Sequence, residues 1–173
     1  MVGDKMILGR PMHEPSPEFD YPTIFKESPE LPSTRALLEL WQSYEAKGGM
    51  RMGRDIPSRE LGKYLANIII VEPVGDWEDS RVRLAGQVLM LRFGKDVTGQ
   101  LGSDVFMDNP RGHRLLCDLS REATKTRKPY FVDSRVMRGG EELMRVESLN
   151  APIFGPNGES GWMLGAMFLF DTR

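Results

Sequence analysis

Ser80–Gln100, SRVRLAGQVLMLRFGKDVTGQ, changes its periodicity twice within one short segment and so dictates how its neighbours pack. Arg81-Val82-Arg83-Leu84-Ala85 alternates charged and apolar residues, which predicts a strand with Val82 and Leu84 buried and the arginines in water. Gly86 stops it. From Gln87 the apolar spacing turns helical through Leu89, Met90 and Phe93, and Gly94 is placed to cap that short helix in the left-handed conformation. Asp96, Thr98 and Gly99 supply turn chemistry, so the chain reverses before Val105 and Phe106.

Upstream, Ser58 caps a helix in which Leu61, Tyr64, Leu65 and Ile68 share a face; it gives way at about Asn67 to a β-branched strand, Ile68 to Val74. Asp76-Trp77-Glu78-Asp79 is the turn that returns this strand into the opening stretch, with Trp77 exposed or capping the sheet edge. Downstream, Gly102 to Asn109 reads as a loop or short turn. Asn109-Pro110 starts a longer helix, Leu115, Leu116, Leu119 and Ala123 mark its core face, and Pro129 stops it. Tyr130–Arg138 and Glu142–Pro152 form a hairpin around Gly139-Gly140, with a bulge expected near Leu149 where the alternation slips. Trp162 to Phe170 is apolar on both faces and must be a central strand.

A strand ending in Leu84-Ala85-Gly86, a short helix ending in Phe93-Gly94, and Lys95-Asp96-Val97-Thr98-Gly99 after it resemble the opening of a PAS domain. The order strand, strand, short helices, long helix, three strands is similar to that family over Leu61 to Arg173. Within it the chain looks most like the stand-alone bacterial group known mainly from alphaproteobacteria. The resemblance implies an α+β fold whose five-stranded antiparallel sheet, counted along the domain, has the spatial order 2-1-5-4-3, with helices on one face and an N-terminal helix before the core.

Composition bounds the rest. At 173 residues, 40% hydrophobic and 28% charged, the chain suits one soluble domain. A net charge of −2 gives no electrostatic case for a nucleic-acid or anionic-membrane partner. One cysteine, no signal-like leader and no apolar run of membrane-spanning length point to the cytoplasm. Residues 1–32 carry six of the twelve prolines and read as an extended or disordered arm, with Met6, Ile7, Leu8, Phe19, Tyr21, Ile24 and Phe25 able to lie across the domain or a partner. Residues 33–57 hold a helix capped by Ser33 and a loop; residues 58–173 form the PAS-like domain. In that first helix Leu37, Leu40, Trp41 and Tyr44 share one face, and a lone helix of this length must dock on something.

Between sheet and helices, Leu89, Met90, Phe93, Phe106, Leu115, Leu119, Val132, Met144, Val146, Met163 and Met167 are expected to line an interior that fills itself or holds a small apolar ligand. His113 and Cys117 lie four apart with Ser120 and Thr124, a spacing that suits a metal or a thiolate and its base, but no third ligand is near in sequence. They are read as a solvated helix face. No metal or cofactor is expected: His113 would point away from the cavity, against haem, and no cysteine lies in the short-helix region, against flavin-adduct chemistry. Glu141, Glu142 and Glu147 read as solvated, with Glu147 paired to Arg135. Gly48 to Arg54 lacks the Gly-Lys-Ser/Thr ending of a phosphate loop.

The reading of function is a non-enzymatic sensory or interaction module of bacterial signal transduction. It would bind a small ligand, a signalling protein or itself, as a homodimer through Leu37, Leu40, Trp41, Tyr44, Leu164, Phe168 and Phe170. The rival reading is a small-molecule enzyme on a cone-shaped α+β fold, which needs a buried acid or base; Asp133, the best strand candidate, falls on the face opposite Val132.

Overall fold

The computed structural model describes residues 19–20, 22–107 and 110–171. Phe19–Asp20 (β1) and Thr23–Lys26 (β2) precede a helix at Pro32–Glu45 (α1), a 3-10 helix at Gly62–Asn67, and strands Ile68–Val74 (β3) and Asp79–Ala85 (β4). Helices Gln87–Phe93 (α2), Gly102–Val105 (α3) and Pro110–Thr126 (α4) follow, then strands Tyr130–Arg138 (β5), Glu141–Ile153 (β6) and Trp162–Leu169 (β7). Met6, Ile7, Leu8, Tyr21 and the Asn109 cap lie outside the described residues.

All strands join one antiparallel sheet whose path is β5-β6-β7-β3-β4, with β1 and β2 both added along the outer edge of β5. The five-strand core has the expected order. β7 is central because its odd residues, Met163, Gly165, Met167 and Leu169, and its even residues, Leu164, Ala166 and Phe168, are apolar on opposite faces. Gly94 closes α2 at a φ of 72° and the Gly139-Gly140 turn takes positive φ at both positions, as a two-residue hairpin requires. The bulge lies elsewhere than expected: Leu149 pairs regularly with Phe131, and the register shifts between Val136 and Met137.

The outer sheet face is covered by α1. Leu37, Trp41, Leu164 and Phe168 belong to a single buried cluster with Tyr64, Ile68, Ile70, Leu149 and Ile153, and the Trp41 indole donates to the Pro152 carbonyl at 2.8 Å. Leu40 and Tyr44 pack against this cluster, half-buried, and Phe170 lies beneath the Arg145 guanidinium at 3.8 Å. The stripe that the sequence marks for a second subunit is therefore occupied within one chain, and a dimer built on Leu37, Trp41, Leu164 and Phe168 would have to displace α1. Ser33 is not its cap. The helix starts at Pro32, and Leu31 in the capping position offers no side chain.

A carboxylate from the sheet does that work instead. Glu147 on β6 is fully buried and accepts hydrogen bonds from the backbone N–H groups of Glu30 (2.7 Å) and Leu31 (2.9 Å) and from the Lys26 ammonium (2.9 Å). Its charge also sits at the positive end of the α1 dipole. The pairing with Arg135 expected from sequence does not form: Glu147 stands opposite Asp133, and Arg135 turns to Glu142 at 3.3 Å. Beside it Asp133, nearly buried, holds the Arg145 guanidinium through both carboxylate oxygens. Burial alone would raise the Glu147 pKa, but the neighbouring Thr34 hydroxyl, the two amides and Lys26 outweigh it and hold the carboxyl below its usual 4.5.

Removing one partner of a buried ionic set leaves the others unpaired, so Glu147→Ala is expected to cost about 3–5 kcal/mol in urea unfolding. Because the folded-state pKa is depressed, the Glu147 contribution is present above about 4.5 and is lost as pH falls below it. The stability gap between wild type and Glu147→Gln should accordingly narrow as pH drops through that range; a gap that stays constant would contradict the assignment.

Candidate functional site

The inner sheet face and the helices enclose a cavity of about 640 Å³. Its floor is built by strand alternation. Thr23 and Phe25 on β2 face Ser134 and Val132 on β5, these lie beside Val146 and Ser148 on β6, and Leu169 and Met167 complete the rows on β7. Val136 and Met144 extend the floor toward the hairpin, while Tyr130, Asn150, Gly165 and Ile69 form its other end. Val88 and Leu89 of α2, Phe93, Phe106 and the Leu115, Leu116 and Leu119 side of α4 make the roof. Phe93 and Phe106 meet edge to face, centroids 5.5 Å apart. At the mouth Phe25 is 50% exposed, Leu115 47% and Leu169 57%.

Of the eleven residues expected to line this space, ten do; Met90 does not. The sequence reading of α4, however, is turned about its axis. His113, Cys117, Ser120 and Ala123 are its buried residues, and the leucines are half-buried or exposed where they border the cavity. The physical reason is the partner on that side. Trp77, expected to be exposed or to cap the sheet edge, is 3% exposed and forms a cluster with Cys117, Ala123 and Met163, and small side chains on the helix leave room for its indole. Trp77 reaches inward from a backbone φ of 61°, a conformation that costs about 1–3 kcal/mol for a bulky residue. Arg114 and Arg121 hold it there by donating to its carbonyl, at 2.6 and 3.3 Å.

His113 and Cys117 therefore line the cavity rather than a solvated face, and the orientation argument against haem does not hold. The His113 Nε2 lies 3.4 Å from each of Ser80 Oγ, Cys117 Sγ and Asp79 Oδ1, and the ring stacks on Phe106 at 5.8 Å. Asp79 accepts from the Ser80 and Ser103 amides and from the Ser103 hydroxyl; burial works against its charge, but these hydrogen bonds win and lower its pKa. Burial lowers the His113 pKa, with Asp79 offsetting only part, so the imidazole is neutral near pH 7. Burial pushes the Cys117 thiol up to about 11. Close by, the Tyr130 hydroxyl, raised by burial to about 12, lies 3.4 Å from Ser120 Oγ. Gly102 packs on this cluster so tightly that a Cβ there would stand 2.2 Å from Ser80 Oγ and 2.4 Å from His113 Nε2. Among the described residues no three His, Cys, Asp or Glu side chains come together as a metal set.

A sheet of this order, a long helix across its inner face and a cavity between them define one architecture, and the model of the PAS domain family matches residues 30–168. The chain belongs to the PAS domain family. Among solved structures it is similar to the PAS domain of Bordetella pertussis BvgS, with 19% identity and a TM-score of 0.43, over 64% of this chain and 81% of that one. It is also similar to an RNA-binding light-oxygen-voltage receptor, with 14% identity and a TM-score of 0.42, over 90% of this chain and 40% of that one. No curated protein matches the sequence.

In this PAS domain the polar groups of the cavity are the part that sequence reasoning missed. Ser148, Asn150, Ser80 and Asn67 are too ordinary in type to stand out, and only the strand pairing shows that they share an interior with the methionines. No helix among the described residues is long and apolar enough to cross a membrane.

Cys117 is 1% exposed and held as the thiol, so native protein is expected to be inert to Ellman's reagent near neutral pH and to react stoichiometrically once unfolded in guanidinium. Rapid native-state labelling would show that the α4 face opens. Gly102→Ala should destabilise the fold by about 1–3 kcal/mol through the contacts its Cβ makes with Ser80 and His113, read by thermal unfolding.

Proposed function

We propose that this PAS domain is a non-enzymatic sensory module that binds a small, largely apolar ligand in the cavity between α4 and the inner sheet face. One observation carries the reading: a cavity of about 640 Å³, within the usual range for small-molecule sites, is walled by apolar side chains and opens at Phe25, Leu115 and Leu169. Such a space left empty forfeits packing contacts along its whole lining, which a bound molecule restores.

The enzymatic alternative finds little support in the same geometry. The Asp79–His113–Ser80 set is not arranged as a relay, because the carboxylate and the hydroxyl both approach the same ring nitrogen. A thiol raised to about 11 is a poor nucleophile near neutrality. Asp133 and Glu147, the buried carboxylates of the strands, face away from the cavity and are committed to Arg145, Lys26 and the start of α1. The module's output would then pass through contacts with a signalling protein.

Mass spectra of fresh protein under native and denaturing conditions, with an absorbance spectrum, test the reading. The neutral dye N-phenyl-1-naphthylamine should bind at one site per chain. Met144→Trp, which fills the floor, should weaken it at least about tenfold while the fold survives, as judged by circular dichroism. Dye binding that is non-saturable, or unchanged in the folded variant, would place the ligand elsewhere or nowhere.

A further inference from the structure

The charges of the sheet are sorted by face. On β5 and β6, Asp133, Arg145 and Glu147 alternate with Val132, Ser134, Val136, Met144, Val146 and Ser148, so these ions go outward and the neutral residues inward, while Arg135 reaches the cavity's border. No Asp or Glu lines the cavity among the described residues. Of the two arginines that border it, Arg135 pairs with Glu142 at 3.3 Å while its buried Nε, 3.9 Å from Asp133, makes no hydrogen bond, and Arg111 is exposed at the roof's edge.

What the floor does offer is a line of uncharged hydrogen-bonding groups. Thr23 Oγ1 and Ser134 Oγ stand 3.5 Å apart across the β2–β5 pair; Ser148 is the diagonal neighbour of Ser134, and Asn150 lies two residues further on the same face of β6. The Asn150 Oδ1 reaches over Gly165, where the missing side chain leaves it room. Among the described residues no hydrogen bond occupies Ser148 Oγ or the Asn150 amide. At the deep end, Trp77 Nε1–H is buried and has no acceptor among the described residues. Uncharged donors and acceptors in an apolar wall orient a ligand without attracting an ion, and an ion entering without a counter-charge would bear a desolvation cost of several kcal/mol.

Resting on the cavity as the ligand site, we infer that the ligand is an uncharged molecule with an apolar body and a hydrogen-bonding group that meets the Ser134–Ser148–Asn150 line. Ammonium compounds of the same size are excluded because no carboxylate lines the walls, and carboxylates and phosphates are disfavoured because Arg135 is already paired with Glu142 and Arg111 lies exposed at the roof's edge. The selectivity is thus a matter of polarity along the body rather than of a charged anchor at one end.

Four probes sharing one skeleton test this: 4-phenylphenol, biphenyl, biphenyl-4-carboxylate and biphenyl-4-ylmethylammonium, titrated near neutral pH by tryptophan fluorescence and by displacement of N-phenyl-1-naphthylamine. The phenol is expected to bind at least about tenfold more tightly than biphenyl or either ion. Ser148→Ala and Asn150→Val should bring the phenol down to the level of biphenyl while leaving biphenyl and dye affinity within about twofold. Either ion matching the phenol, or a phenol preference that survives in both variants, overturns the inference while the cavity still binds dye. Failure of all four probes together with the dye overturns the ligand-cavity reading itself, and this inference with it.

Discussion

Glu147 is fully buried on the outer face of β6, where an isolated carboxylate would be prohibitively unfavourable, and every neighbouring element is arranged to satisfy it. Lys26 comes from β2, and the Glu30 and Leu31 amides come from the chain entering α1. One side chain thereby fixes where the edge strand ends, where the helix begins, and how that helix is aimed at the sheet. α1 has no cap of its own and no acidic residue in its first turn, so its start is set by tertiary contact rather than by local sequence. The apolar stripe of Leu37 and Trp41 then follows onto Leu164 and Phe168.

The same sorting gives the two faces of the sheet opposite characters. The outer face carries the ionic cluster and, under α1, the larger of the buried apolar clusters. The inner face carries no carboxylate among the described residues and is loosely covered, because the helix above it spends its buried side on Trp77 and leaves its leucines bordering open volume. A cavity in this position is therefore a consequence of where α4 is anchored. Arg114 and Arg121 clamp it to the β3–β4 turn, at the opposite side from the Phe25 edge.

Much of this was legible in the sequence. Period-two alternation located β4 to β7 to within a residue or two, the change from helix to strand at Asn67–Ile68 follows from the β-branched run, and the glycine caps and turns lie where the residue types placed them. Five of the ten cavity residues, Val132, Met144, Val146, Met163 and Met167, could be named because alternation separates the faces of a strand without further information, and Leu89, Phe93, Leu115 and Leu119 from helical spacing. Rotation of α4 could not be read, since His113, Cys117 and Ser120 with Thr124 make a plausible solvated stripe until Trp77 is known to lie against that side of the helix. Nor could the role of Glu147, whose partners are more than a hundred residues away along the chain. Exposure of Trp77 was misjudged for a related reason: a turn residue is ordinarily on the surface, and only the left-handed backbone turns this one inward.

Strand β2 is four residues long, and its side chains divide strictly between the two sides of the sheet: Thr23 and Phe25 belong to the cavity, while Lys26 belongs to the ionic cluster. With β1 it lies on the outer flank of the sheet, attached on one side to β5 alone. Phe25 and Lys26 share a peptide unit. One short edge strand therefore supplies both a wall at the mouth of the cavity and the ammonium that holds Glu147 on the opposite face.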